Sequence, residues 1–320
     1  MPAGTALVVR TSGATGRARG VVLGHAALQA AVAASIDRLD AADARWLGVL
    51  PLHHIAGLLV LLRARATRTP TTLHDRFDVA AIAAETDATH IALVPTMLHR
   101  LLDHGVDVGR FDRILLGGAV PPVGLLERAL AAGAHVTVSY GMTETAGGCV
   151  YDGRPLDGVA VAVDPDGRVL VRGDVLADGY RTDRGVTPLR DATGWFRTSD
   201  VGRFDGDRLV ITGRADDVVV SGGVNVPTAT VVDVLQRHAG VAAAAVVGVD
   251  DTEWGQRVVA FVVAADPAAP PSPEVLRDHV RSIVDAAWVP REVRYLAALP
   301  RTTLGKIDGA VLRSEATRAG

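Results

Sequence analysis

Lys306 is the only lysine among 33 basic residues, and it sits in the run Pro300-Arg301-Thr302-Thr303-Leu304-Gly305-Lys306-Ile307-Asp308. A coding bias toward arginine would leave a stray lysine anywhere. A site that needs a compact, flexible ammonium in a small polar pocket would keep one, because a broad planar guanidinium does not replace it. Gly305 favours a turn, so the lysine belongs on an arm rather than in a core. Thr11-Ser12-Gly13-Ala14-Thr15-Gly16-Arg17-Ala18-Arg19-Gly20 holds a second chemical group. Its glycines let the backbone approach an anion closely and aim N–H groups at it, while hydroxyls add donors and arginines add charge. That is a phosphate cradle, although not a Walker loop, since no Gly-Lys-Ser/Thr follows at the required spacing. Tyr140-Gly141-Met142-Thr143-Glu144-Thr145 offers an aromatic face, hydroxyls and one carboxylate. Glu144 is a candidate magnesium ligand, because hard cations near phosphates take one or two carboxylates and keep their waters.

These groups need a scaffold that brings distant loops to one edge. Ala6 to Val9 forms a short strand running into the phosphate loop, and Val21 to Leu39 has the alanine-rich composition of a helix. Strands are expected at Trp46 to Leu50, His90 to Val94, Arg113 to Leu116 and His135 to Val138. Helices are expected at Ile55 to Arg65, Val79 to Glu85, Thr96 to His104 and Val123 to Ala132. Alternating strand and helix implies a mostly parallel sheet covered on both faces, with ligands outside the carboxyl ends of its strands. Loops 11–20, 51–57, 117–119 and 139–145 occupy those places. Gly117-Gly118-Ala119 presents bare backbone to a flat base, and His53-His54 follows Pro51. From Gly158 to Ile211 short strands and turns such as Asp164-Pro165-Asp166-Gly167 read as a β-rich subdomain. A strand near Val218, a helix at Pro227 to Arg237, strands at Ala243 to Val249, Val258 to Val263 and Val293 to Leu296, and a helix at Pro273 to Asp285 complete a smaller C-terminal domain.

The chain has 320 residues, 48% of them hydrophobic and 22% charged, which is the balance of a globular protein with ample core. Its net charge of -3 and lack of a basic block give no footing to nucleic acid. Cys149 is the single cysteine, which excludes an internal disulfide and a cysteine zinc cluster and suits a reducing cytosol. No signal-peptide pattern opens the chain, and apolar runs such as Ile55 to Leu62 are too short to span a bilayer. A cytoplasmic protein is expected, without a membrane span and with small molecules as partners.

Taken in order, TSGATGRARG, YGMTET, GWFRTSD, GRADD with SGG, and PRTTLGKID resemble the motifs of the adenylate-forming superfamily of acyl-CoA synthetases, luciferases and peptide-synthetase adenylation domains. The match runs along nearly the whole chain. It implies the adenylate-forming α/β fold: a large N-terminal α/β core with a β-rich subdomain over 1–213, truncated at its N-terminus relative to the family, and a small mobile α+β domain over 214–320. It further implies ATP, magnesium and coenzyme A as cofactors or cosubstrates, a carboxylic acid as substrate, and a homodimer as a candidate assembly. Thr11, Ser12, Gly13, Thr15, Gly16, Arg19 and Gly20 would hold the β- and γ-phosphates. Gly117, Gly118, Ala119, Tyr140 and Gly141 would frame adenine, Thr143 would touch the α-phosphate and Glu144 would bind magnesium. Asp200 would accept the ribose hydroxyls with Arg214 beside it, and Asp216 would be the hinge. Lys306 would bridge the carboxylate and the α-phosphate, and Ser221, Gly222 and Gly223 would line a thiol channel after rotation.

Within the superfamily, PLHHIAG at 51–57 and the run from Tyr140 to Gly158 look like the short actinobacterial o-succinylbenzoate-CoA ligases of menaquinone biosynthesis. The resemblance makes His53 or His54 the candidate partner of that acid's second carboxylate, which is costly to bury unpaired. Another aryl or acyl acid, loading of a carrier protein, and a non-catalytic adenylate-binding protein are the alternatives. Departures from the family pattern are Arg19 for Lys, Ala14 for Ser or Thr, Gly309 for Arg, and only ten residues before the phosphate loop. The central expectation is testable directly. Lys306→Arg and Lys306→Ala should each lower acyl-adenylate formation by orders of magnitude, while thioester formation from preformed acyl-adenylate, measured by single-turnover quench, persists.

Overall fold

The computed structural model describes residues 4–11, 19–122, 124–215, 218–301 and 307–318. In chain order the elements are β1 (Thr5–Thr11), β2 (Arg19–Gly24), α1 (His25–Leu39), β3 (Trp46–Gly48), α2 (Ile55–Thr67), β4 (Thr71–Leu73), α3 (Val79–Ala84), β5 (His90–Leu93), α4 (Pro95–Asp103), β6 (Arg113–Gly117), α5 (Leu125–Ala131), β7 (Val136–Met142), β8 (Gly147–Tyr151) and β9 (Arg154–Pro155). There follow β10 (Val159–Val163), β11 (Arg168–Gly173), β12 (Gly179–Thr182), β13 (Gly185–Pro188), β14 (Phe196–Asp205) and β15 (Arg208–Arg214). The last stretch holds β16 (Val218–Ser221), β17 (Val224–Pro227), α6 (Thr228–Gln236), β18 (Val241–Asp251), β19 (Gly255–Ala264), α7 (Pro273–Arg281), β20 (Glu292–Tyr295) and α8 (Gly309–Arg318). Packing divides the chain into two compact units, 1–162 with 170–198 and 204–210, and 163–169 with 199–203 and 211–320.

The first unit is built on a seven-stranded sheet in the order β4-β3-β5-β6-β7-β8-β9, parallel from β4 to β7 and antiparallel beyond. Its central strands β3, β5 and β6 are buried on both faces along most of their length, and the period-2 alternation sorts their side chains. Leu47, Ile91, Leu93, Ile114 and Leu116 pack on one side with Ile82, Leu98, Leu101, Phe111, Leu125 and Ala129 from or near α3, α4 and α5. Trp46, Ala92 and Leu115 pack on the other with Ala34, Leu39, Val60 and Ala64 of α1 and α2. That second layer also buries Arg63, whose Nε donates to Ser35 Oγ at 2.8 Å and whose Nη2 donates to Tyr151 OH at 3.3 Å. β3 feeds β4 on one side while β5 returns on the other, so the strand order reverses there.

The expected helix from Val21 starts too early. Arg19–Gly24 is β2, paired antiparallel with β1 and β12 in a sheet ordered β1-β2-β12-β13. Val21 and Val22 are fully buried β-branched residues that suit a strand. The alanine-rich helical composition begins only after Gly24, whose extended backbone serves as the N-cap of α1.

In the second unit, β17-β16-β19-β18 form an antiparallel path, with β20 parallel to β19. Val246, Val258, Ala260 and Val262 face α6 and α7, whereas Ala245, Val247, Val259 and Phe261 pack with Leu312 and Ala316 of α8. The C-terminal carbonyls of α8 are met by cations, as the helix dipole favours. Arg294 donates to Glu315 O at 2.7 Å and to Ala316 O at 2.9 Å, and Arg257 donates to Ala316 O at 3.3 Å.

Gly57 in the first turn of α2 decides how loop 51–57 sits. A Cβ there would lie 2.4 Å from Pro51 O and 2.7 Å from Leu50 O, both fixed backbone atoms. Gly57→Ala should therefore destabilise the protein by ~1–3 kcal/mol through overpacking, seen as a lower melting temperature, despite alanine's better helix propensity.

Candidate active site

The carboxyl edge of the large sheet carries the site. β6 ends in Gly117, and Gly118 begins the bend after it. A Cβ on Gly117 would stand 3.3 Å from Ser139 O, and Gly118 has φ +85°, so bare backbone is required where β6 and β7 run together. Ala119 follows in an exposed bend, and Tyr140 is half-buried in β7. β7 then passes into a single tight turn, Thr143–Thr145. The buried Thr145 hydroxyl accepts from Met142 N at 2.9 Å and donates to Gly147 O at 2.6 Å. Around that knot no side chain fits. A Cβ on Gly141 would lie 2.1 Å from Gly147 O, one on Gly147 would lie 2.2 Å from Leu59 Cδ1, and one on Gly148 would lie 2.2 Å from Ser139 Oγ. The first turn of α2 therefore packs against the start of β8. His54 is the N-cap of α2, and its ring lies 4.2 Å from that of His53.

Held by this turn, Glu144 accepts a hydrogen bond on Oε1 from Tyr180 OH at 2.9 Å. Its backbone carbonyl accepts from Ala177 N at 2.8 Å. Burial, and next the negative charge of Glu144, push the Tyr180 phenol up, so it remains a donor at neutral pH. The guanidinium of Arg19 lies 5.3 Å from the Tyr180 ring centroid. Arg19 and Thr11 are paired across β1 and β2, with Thr11 Oγ1 donating to Arg19 O at 3.4 Å. A Cβ on Gly20 would meet Val8 Cγ1 at 2.9 Å, which keeps the strand pair close at the mouth of the phosphate loop. Ser12, Gly13, Thr15 and Gly16 lie outside the described residues, as do Asp216 and Lys306.

Among the described residues no three His, Cys, Asp or Glu side chains gather into a metal cage. A hard cation bound with a polyphosphate needs only one or two protein carboxylates. Glu144 fits that requirement, because Oε2 accepts no hydrogen bond from another described residue.

In the second unit, the buried Asp200 of β14 pairs with Arg214 at the end of β15, Nη1 to Oδ1 3.3 Å. Ser221 ends β16, and Gly222 and Gly223, both with positive φ, form the turn into β17. Gly222 N donates to Trp254 O at 2.8 Å, and a Cβ on Gly222 would touch the Trp254 ring at 2.9 Å. Arg291 stacks over that ring at 3.8 Å. Neither Trp254 nor Tyr180 was expected from the sequence. Both act across the fold on glycine or carboxylate loops far away in the chain, and only their place within glycine-flanked runs hinted at them.

Residues 2–181 match the family model described as AMP-binding enzyme, and residues 231–306 match the AMP-binding enzyme C-terminal domain. The chain is 40% identical over 321 residues to the "Probable 2-succinylbenzoate--CoA ligase" of Mycobacterium tuberculosis, covering 96% of this chain and 83% of that one. It is 32% identical to the 2-succinylbenzoate--CoA ligase of Bacillus licheniformis, covering 94% and 68%. Among solved structures, the o-succinylbenzoate CoA synthetase of Bacillus subtilis with its acyl-adenylate intermediate superposes with a TM-score of 0.84 at 30% identity, covering 99% of this chain and 69% of that one. The amide bond synthetase McbA of Marinactinospora thermotolerans superposes with a TM-score of 0.86 at 32% identity, covering 98% and 69%. Motif order, sheet topology and these likenesses agree: the chain belongs to the AMP-binding enzyme family.

Proposed function

We propose that this protein is an ATP-dependent acid-CoA ligase that works through an acyl-adenylate, with o-succinylbenzoate as its acid, in the cytoplasm, as a step of menaquinone biosynthesis. The observation that carries the reading is the grouping of Glu144 and Arg19 about Tyr180 at the mouth of the phosphate loop. A carboxylate for a metal and a cation for phosphate oxygens stand together there. The relatives named for 2-succinylbenzoate support the choice of acid.

In the proposed reaction a carboxylate oxygen of the acid attacks the α-phosphorus of ATP, the bond to the β-phosphate bridge breaks, and pyrophosphate leaves. Both reactants are anions, so the barrier falls only if positive groups are in place before the charge spreads. Magnesium held by Glu144 would neutralise charge on the phosphates. Arg19 and the loop amides bind the β- and γ-phosphates, Thr143 contacts the α-phosphate, and Lys306 spans the carboxylate and α-phosphate. Gly117, Gly118, Ala119 and Tyr140 frame adenine, and Asp200, held by Arg214, receives the ribose hydroxyls. The C-terminal domain, from residue 214, turns at Asp216, withdraws Lys306 and brings Ser221-Gly222-Gly223 to the thiol path. The thiolate of CoA then attacks the acyl carbon, and AMP leaves with the oxygen that had bridged acyl and phosphate.

The likeness to an amide bond synthetase favours a second reading of the acceptor alone, with an amine in place of the thiol. Carboxylate-dependent ATP–pyrophosphate exchange over a panel of acids, followed by CoA or amine addition and mass measurement, decides both points. We expect exchange with o-succinylbenzoate and a CoA thioester as product. No exchange with any acid would leave a nucleotide-binding protein as the better description, and an amide without a thioester would reassign the acceptor. His54→Ala, or His53→Ala, should raise KM for the acid about tenfold, equivalent to ~1.4 kcal/mol, and leave KM for ATP near its original value. Equal changes in both constants would remove the histidines from the acid pocket.

A further inference from the structure

Tyr180 joins three segments of the site that are remote in sequence. Its hydroxyl donates to Glu144 Oε1 at 2.9 Å, its ring stands 5.3 Å from the Arg19 guanidinium, and its backbone pairs with Val21 directly beyond the phosphate loop. A second bond, Ala177 N to Glu144 O at 2.8 Å, ties the segment before β12 to the same turn. The backbone of Glu144 is thus fixed from two sides, by this bond and by the Thr145 knot. Its side chain has three further torsions, and an unheld glutamate gives up that rotamer freedom when it engages a ligand. A hydrogen bond on one carboxylate oxygen removes much of that freedom beforehand and leaves the other oxygen to face the ligand.

We propose that Tyr180 is the positioning residue of Glu144: its hydroxyl holds the carboxylate in the orientation that takes up the magnesium of Mg·ATP. The Arg19 guanidinium lies over the same ring, 5.3 Å from its centroid, so Tyr180 gathers the carboxylate and a cation beside one loop. This rests on the reading of Glu144 as the metal-binding carboxylate. A tyrosine serving only to pack β12 would make no distinction between nucleotide binding with and without the metal.

The test compares calorimetric ATP affinity of the wild-type protein and Tyr180→Phe, each in magnesium and in excess EDTA. Phenylalanine keeps the ring and its face toward Arg19 and removes only the hydroxyl. The expected result is that the magnesium-dependent gain in affinity falls about tenfold, the size of one hydrogen bond to a charged group. Affinity in EDTA and the melting temperature should stay unchanged. Glu144→Gln should abolish the gain, and adding Tyr180→Phe to it should cost nothing more, since the hydroxyl acts through the carboxylate. A full magnesium-dependent gain in Tyr180→Phe would overturn the proposal, as would an equal loss in both buffers, a lowered melting temperature, or additive losses in the double variant. A wild-type protein without any magnesium-dependent gain would instead overturn the assignment of Glu144, and this inference with it.

Discussion

The close packing of β7 against β8, and of β8 against α2, leaves no room for a side chain at three positions, and the edge of the first unit takes its shape from that constraint. A Cβ on Gly141 would meet the backbone of Gly147 and Gly148, one on Gly147 the Leu59 side chain of α2, and one on Gly148 the side chains of Ser139 and Tyr151. The Thr145 hydroxyl closes the turn between the strands by bonding at both ends. Such a turn has one conformation rather than several, because its polar groups are satisfied internally and its neighbours are in contact. Its consequence is directional. Thr143 and Glu144 follow the carboxyl end of the half-buried β7, whose next strand, β8, packs against α2.

Charge is the second theme, and it follows from the chemistry proposed for that edge. A carboxylate approaching a triphosphate is opposed by like charge, and preorganised cations and dipoles offset this only where they are already oriented. In the first unit, Glu144 accepts from the Tyr180 hydroxyl, and the Arg19 guanidinium lies over the Tyr180 ring. In the second unit Asp200 is buried and paired with Arg214. A charge-assisted hydrogen bond to a buried carboxylate fixes its direction, as the proposed contact with the ribose hydroxyls requires. The glycine turn at 222–223 backed by Trp254 is likewise a shape held from behind, with Arg291 closing the stack.

Much of the fold was legible in the sequence because its signals are local. β5 and β6 are short, largely apolar runs buried between helices, and α2, α4 and α7 begin where a turn or proline allows. β2 was misread because alanines downstream outweighed three apolar residues whose partners, β1 and β12, include a strand more than a hundred residues away. β4 and α8 were missed for related reasons: one is three residues long, and the other lacks a strong apolar stripe. Site residues were legible through motif resemblance more than through spacing. Glu144 and Arg19 could be named from the chain. Their common neighbour Tyr180 could not, since it reaches Glu144 across 36 residues by way of sheet pairing.

The central claim is that the acid's own carboxylate oxygen attacks the α-phosphorus, and this leaves a mark that no rate measurement duplicates. With o-succinylbenzoate labelled by oxygen-18 in the reacting carboxylate, ATP and CoA, the account predicts AMP carrying one labelled oxygen and pyrophosphate carrying none, read by mass spectrometry. Unlabelled AMP, or label in inorganic phosphate with ADP as the nucleotide product, would contradict it.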